Sequence, residues 1–270
     1  VSANRQYLSL KPVGIQSKIH VYRAFAVGVL ARIFRRKHFV TIGQYLKRDA
    51  LVKYEGLLFK ARARSDDLGF YAHTVKSYTF NWFRPSAGET VVDCGSSVGL
   101  FTMIALKNGA QVYAFEANPK TFKVLQENVA LNGFHKAAHL FNIGLSCEPG
   151  EMTLYAPKNF TGTSSFNIKW VWNMKKDKDD IEQFRVPVIT LDEAMDGVKK
   201  IDWLLIDVES FEYNLLLGSA KTLERTRNII IEISSFQSEK LHKLLQDHGF
   251  CVSDRGDREG SVQYFLYTKC

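Results

Sequence analysis

From Thr90 onward, short apolar runs alternate with stretches whose apolar positions recur at every third or fourth residue. The first pattern reads as buried strands and the second as amphipathic helices. The clearest unit is residues 91–132, VVDCGSSVGLFTMIALKNGAQVYAFEANPKTFKVLQENVALN. Val91 and Val92 close a strand at Asp93, and a glycine turn follows, Cys94-Gly95-Ser96-Ser97-Val98-Gly99. Leu100, Phe101, Ile104 and Ala105 then repeat at helical spacing, and a second strand, Val112 to Phe115, stops at Glu116. Thr121 to Leu131 is an amphipathic helix closed by Asn132-Gly133, and Ala138 to Leu145 is a third strand with Asn142 near its carboxyl end.

Residues 146–190 interrupt this alternation. Glu151 to Ala156 and Arg185 to Thr190 are predicted to pair as a hairpin. Between them lie the small hydroxyl residues Thr163, Ser164 and Ser165 and a solvated Lys/Asp run at 175–180. A helix at Leu191 to Met195 leads to the buried strand Ile201 to Ile206, which ends in Asp207-Val208-Glu209-Ser210-Phe211-Glu212. A helix at Tyr213 to Leu223, a strand at Asn228 to Ile233 and a helix at Leu241 to Asp247 come next. Phe250 to Ser253 and Val262 to Thr268 form a final antiparallel pair. The expected fold is α/β: a Rossmann-like sheet with helices on both faces, an inserted β-hairpin and a C-terminal antiparallel strand pair.

The N-terminal part reads differently. Residues 1–20 suggest an arm or short helix, Val21 to Lys37 a helix, Thr41 to Lys53 a second helical stretch, and Leu57 to Ala63 a strand. The aromatic-rich stretch Leu68 to Phe83 is expected to lie as a helix beside the ligand mouth. Charge follows the same division. Residues 1–64 carry 14 Lys+Arg against 2 Asp+Glu (+12), and the remainder 22 against 26 (−4), which gives the net +8. A basic, largely helical extension over residues 1–54 before a domain at 55–270 is the expected organisation. The arginines at the end of the first helix complement its dipole; alternatively they bind an anionic membrane surface or a nucleic acid.

At 46% hydrophobic residues the chain can bury a core, which excludes wholesale disorder. No apolar run reaches the roughly 20 residues that span a bilayer, and Val1 is not followed by a signal-peptide pattern. Cys94, Cys147, Cys251 and Cys270 are scattered, so reduced thiols in a cytoplasmic protein are expected. Neither they nor the seven dispersed histidines suggest a metal site.

The chemistry concentrates at two places. Gly95, Ser96, Ser97 and Gly99 form a turn whose backbone N–H groups face a ligand, and Glu116 stands where an acid accepts both ribose hydroxyls. The spacing is G-x-x-x-G, not the dinucleotide G-x-G-x-x-G, and Asp93 would repel a pyrophosphate but attract an ammonium. An amino-acid tail, a ribose and an adenine fit together as S-adenosylmethionine; the plainer reading is a glycine turn beside an ordinary strand-end acid. Asn142 can recognise the adenine edge or satisfy a loop. At the second place, Asp207 and Glu209 are candidates for accepting a proton, and Glu212 for capping the next helix.

The motifs VVDCGSSVGLFT, YAFEANPKTFKVLQENVALNG, NIGLS, GEMTLY, VPVITLD, IDWLLIDVESFEYNLLLGS and IIIEIS occur in that order. In this the chain resembles the FkbM-type S-adenosylmethionine-dependent methyltransferases across roughly residues 55–270. The resemblance implies cofactor binding by Asp93, Gly95, Ser97 and Gly99, ribose binding by Glu116, and Asn118 beside the adenine. Its Asp-x-Glu-Gly signature falls on Asp207, Glu209 and Ser210, with serine in place of glycine. It implies an O-methyltransferase acting on a hydroxyl of a sugar, glycan or natural product. The alternatives are an RNA or tRNA methyltransferase that uses the basic extension, and a non-catalytic S-adenosylmethionine-binding module.

Overall fold

The computed structural model describes residues 10–35, 42–74, 81–158, 162–174, 180–256 and 260–270. The Lys/Asp run at 175–179 and the aromatics Tyr78 and Phe80 lie outside them. The N-terminal part opens with β1 (Lys11–Pro12) and the helix α1 (Gly14–Arg35), then β2 (Ala50–Tyr54), β3 (Leu57–Ala61) and α2 (Asp67–Thr74). The helix expected over Thr41 to Lys53 is instead a short 3-10 turn, Ile42–Tyr45, followed by β2. Ala50, Val52 and Tyr54 are buried while Lys53 is exposed, so period two wins once β3 is there to pair with. The β2–β3 hairpin turns at residues 55–56. Asn128 and Asn132, one helical turn apart, offer side-chain amides to the free edge of β3. Lys60 N–H donates to Asn128 at 2.7 Å, and Leu58 exchanges two bonds with Asn132 at 2.8 and 2.7 Å.

The main domain continues with β4 (Thr90–Cys94), α3 (Leu100–Lys107), β5 (Gln111–Phe115), α4 (Pro119–Leu131), β6 (Ala138–Phe141), β7 (Gly144–Leu145), β8 (Gly150–Pro157) and α5 (Ile168–Met174). After these come β9 (Ile181–Ile189), α6 (Leu191–Ala194), β10 (Ile201–Ile206), α7 (Glu212–Leu217), α8 (Ala220–Glu224), β11 (Thr226–Ser234), α9 (Ser238–Asp247), β12 (Phe250–Arg255) and β13 (Val262–Lys269). Seven strands form one sheet in the order β12-β13-β11-β10-β4-β5-β6, parallel except for the β11–β13–β12 edge. The order in which strands are added reverses between β4 and β10, and such a switch point leaves a crevice at the strand carboxyl ends.

Alternation along the strands divides the core in two. Val91, Leu205 and Ile230 face Leu100, Met103 and Leu125, while Val92, Leu204, Ile206 and Ile231 face Leu215, Leu216 and Leu241. The expected third strand splits: β6 joins the main sheet, whereas β7 pairs with β9 beside the inserted β8–β9 hairpin. The helix expected over Tyr213 to Leu223 breaks at Gly218-Ser219, where a Cβ on Gly218 would sit 2.4 Å from the Ser146 carbonyl oxygen.

Two of the four cysteines are not free. Cys251 on β12 and Cys270, just beyond β13, form a disulfide with their Cα atoms 5.3 Å apart. The expectation of reduced thiols therefore holds only for Cys94 and Cys147. The antiparallel ladder, which no Cys spacing advertises, brings the pair together.

Candidate active site

The glycine turn is a left-handed corner. Gly95 (φ 85°), Ser97 (φ 49°) and Gly99 (φ 91°) all have positive φ. Gly95 N–H, Ser96 N–H and Ser96 Oγ–H all donate to the Phe115 carbonyl at 3.0 Å, tying the turn to the end of β5. Glu116 completes the tie: its carboxylate accepts Ser97 N–H at 2.9 Å and Asn118 N–H at 2.7 Å. Asn118 caps α4 through its side-chain oxygen and donates from Nδ2 to Ser164 Oγ at 3.0 Å. Asn142 donates to the carbonyls of Glu116 and Ala117, which braces the same corner from behind. Asp93 is buried below the turn and accepts Thr102 Oγ1–H at 2.6 Å.

A cleft of about 570 Å³, partly open to solvent, lies above this corner. Gly95, Ser97, Glu116, Asp207 and Glu209 line it, together with Gly144, Ser164, Ser165 and Phe166. Asp93, Ser96, Asn118 and Asn142 stand behind that lining and shape it through the bonds just described, and Gly99, also behind it, closes the turn by donating its N–H to the Ser96 carbonyl at 2.8 Å. The residues fit S-adenosylmethionine. Ser97 Oγ is buried without a hydrogen-bond partner in the cleft wall, and each Glu116 oxygen, holding one backbone N–H, keeps lone-pair capacity for a ribose hydroxyl.

Opposite the turn, the loop after β10 holds two more left-handed residues, Glu209 (φ 53°) and Ser210 (φ 74°). The positive φ accounts for the glycine that the family signature carries where this chain has Ser210. The inserted segment holds this loop. Ser165 Oγ–H donates to the Glu209 carbonyl at 2.6 Å, Asn167 Nδ2 to Ser210 Oγ at 3.0 Å, and Trp170 Nε1 to the Glu209 carboxylate at 2.8 Å. Glu212 turns inward, accepting from Ser210 N–H and Gln237 Nε2. Tyr264 OH donates to Asp207 at 2.9 Å.

Sequence reasoning missed Glu232, Tyr264 and Trp170. Carboxylate oxygens of Asp207, Glu209 and Glu232 lie within 4.8 Å of one another, the oxygen-rich kind of set that a hard divalent cation accepts. The sequence alone suggests no metal site; the fold brings a third carboxylate to the pair from β11. Glu232 carried a signal, an acid inside the apolar run NIIIEI, and Tyr264 is its register partner across β13. Trp170 carried none.

The acids hold their protons tightly. Burial pushes Asp93 and Asp207 up to about 6 and Glu116 and Glu212 up to about 7. Glu209 and Glu232 rise well above the carboxylate range, first by burial and then through the charge on Asp207. Like charges this close share protons among them.

A parallel sheet with this antiparallel edge, a glycine turn after β4 and an acid ending β5 is the frame of a class I methyltransferase. The sequence profile of the Methyltransferase FkbM domain matches residues 93–252, and the chain belongs to that family. It is an S-adenosylmethionine-dependent methyltransferase. It is similar to Methyltransferase sdnD of Sordaria araneosa, 25% identical over 236 residues, covering 77% of this chain and 91% of that protein. A second relative is the AMB antimetabolite synthetase AmbE of Pseudomonas aeruginosa, 27% identical over 220 residues, covering 66% of this chain but 10% of the synthetase. Among solved structures, Methyltransferase FkbM from Methylobacillus flagellatus matches with a TM-score of 0.47 and 15% identity, covering 74% of this chain and 52% of that one.

Glu116→Gln keeps one acceptor for the corner and removes the charge facing the ribose hydroxyls. It is expected to weaken S-adenosylmethionine binding by about tenfold or more, read by titration calorimetry. Because Glu116 also ties Ser97 to Asn118, the variant is expected to melt a few degrees lower near pH 4, about 1 kcal/mol of stability, a deficit that closes as pH rises through about 7 and the wild type must carry a buried charge. Unchanged affinity would remove Glu116 from the cofactor site.

Proposed function

We propose that this protein transfers a methyl group from S-adenosylmethionine to a hydroxyl oxygen of a sugar, glycan or natural-product acceptor. The observation that carries the reading is the set of proton-avid carboxylates, the half-buried Asp207 and Glu209 with Glu232 behind them, Asp207 and Glu209 lining the same cleft as the glycine turn. When bound, S-adenosylmethionine supplies an electrophilic sulfonium methyl. Glu209 or Asp207 accepts the proton that the acceptor hydroxyl loses, and a raised carboxylate affinity matches that task near neutral pH. Glu116, braced by Asn118 N–H, fixes the nucleoside end, and the Ser164–Phe166 segment borders the acceptor side. The small-molecule chemistry named for AmbE, antimetabolite synthesis, is consistent with a natural-product acceptor.

The test is transfer of labelled methyl from S-adenosylmethionine into fractionated metabolites, glycans and RNA. An alkali-stable methyl ether in the sugar or small-molecule fraction is the expected product. Label recovered on an RNA base would overturn the reading and favour use of the basic extension on nucleic acid.

Trp170→Phe keeps an aromatic ring beside Phe236 but removes the N–H that lowers the proton affinity of Glu209. The turnover number is expected to fall about tenfold with cofactor affinity unchanged, and the ascending limb of the pH–rate profile to move to higher pH. A profile that stays in place would separate Trp170 from the reaction.

A further inference from the structure

The first helix carries a second surface with no use in the cleft, and its role is independent of the proposed acceptor. One side of α1 is packed: Ala24 is buried, Val21 and Phe25 lie against the core, and Ser17 Oγ accepts Leu51 N–H at 3.0 Å. The other side is not. Ile15, Ile19 and Tyr22 are 76%, 59% and 61% exposed, and Ala26 continues the same stripe one turn on. These positions follow i, i+4, i+7 and i+11, one continuous helix face. Lys18 and Arg23 flank the stripe and are exposed, and α1 contains no Asp or Glu. Single exposed apolar side chains are ordinary, but a ridge of them on one face marks a contact surface.

We propose that α1 is an interfacial helix that lays the Ile15–Ile19–Tyr22 stripe into an anionic lipid surface, with Lys18 and Arg23 over the headgroups. Charge complementarity selects this occupant. Residues 1–64 carry +12, which an anionic leaflet attracts and a second copy of the same helix repels. Nucleic acid would satisfy the cations but offers no apolar phase for two isoleucines at the centre of the face. No helix among the described residues is long and apolar enough to cross a membrane, so the helix lies in the plane of the interface.

The test is flotation of the full chain with vesicles of phosphatidylcholine alone and of phosphatidylcholine and phosphatidylglycerol in equal parts. The wild type is expected to float with the anionic vesicles, release in high salt, and stay behind with the neutral ones. The triple variant Ile15→Gln, Ile19→Gln, Tyr22→Gln alters only exposed positions and is expected to lose about 100-fold in partitioning, with an unchanged melting temperature. Lys18→Glu with Arg23→Glu is expected to lose the preference for anionic vesicles. No flotation of the wild type, or equal flotation of the triple variant, would overturn the proposal. So would a wild-type dimer that the triple variant dissolves, or retention on duplex RNA in place of vesicles.

Discussion

Glu209→Gln is expected to lower methyl transfer by about a hundredfold to ten-thousandfold while leaving S-adenosylmethionine affinity essentially unchanged. Glutamine fills the same space and its oxygen still accepts Trp170 Nε1–H, so the left-handed loop keeps its clamp. What disappears is the group that takes the proton. The same variant is expected to be more stable than the wild type at pH 8. Carboxylates in an unfolded chain ionise near pH 4, whereas in the folded protein Asp207 holds its proton to about 6, and burial with the charge on Asp207 pushes Glu209 well above its ordinary value. A folded-state affinity raised in this way contributes stability that is full below the unfolded value and lost as pH rises through the folded one. Removing one of three crowded acids is expected to return about 1–3 kcal/mol at pH 8 and nothing near pH 4. For a chain of this size that is roughly 2–4 °C of melting temperature per kcal/mol. Thermal scans from pH 4 to pH 8 beside single-turnover rates would check both halves. Full turnover would remove Glu209 from the chemistry, and equal melting at pH 8 would mean that the three carboxylates do not repel one another.

The parts of the site that are legible in the sequence are those encoded locally. Asp93, the glycine turn, Glu116 and the Asp207–Glu209 pair sit where strands end, and a strand end is visible as an apolar run meeting an acid. Glu232, Tyr264 and Trp170 reach the Asp207–Glu209 pair only because β11 lies beside β10, β13 pairs with β11, and the insert folds back over the loop. No local pattern encodes those contacts. Strand β2, expected as helix, is a related case: its apolar positions suit either period until β3 and the Asn128–Asn132 pair on α4 fix the hairpin. The Cys251–Cys270 pairing is likewise a product of ladder geometry. Ser210 stands out in the sequence as a departure from the family signature, but only its backbone angle gives the reason that glycine is usual there.

Gly95→Ala should show that turn and acids form one unit. A Cβ at Gly95 would sit 1.9 Å from the Asp207 carbonyl oxygen and 2.8 Å from its carbonyl carbon, at a backbone angle of φ 85°. The obstacle is backbone, so no side chain can swing aside, and the end of β4 and the end of β10 must separate. The left-handed conformation costs about 1–2 kcal/mol and the overpacking about 1–3 kcal/mol more. A melting temperature lower by roughly 5–15 °C is therefore expected. Because the displaced strand end carries Asp207 and leads into Glu209, cofactor affinity and turnover are expected to fall together, unlike the split expected for Glu209→Gln. Gly133→Ala supplies the control: Gly133 has φ 73°, and a Cβ there meets nothing within 4 Å. It bears the conformational cost alone, about 1 kcal/mol, with both activities intact. If the two alanine variants melt alike, the close approach of Asp207 to the turn is not what holds the site together.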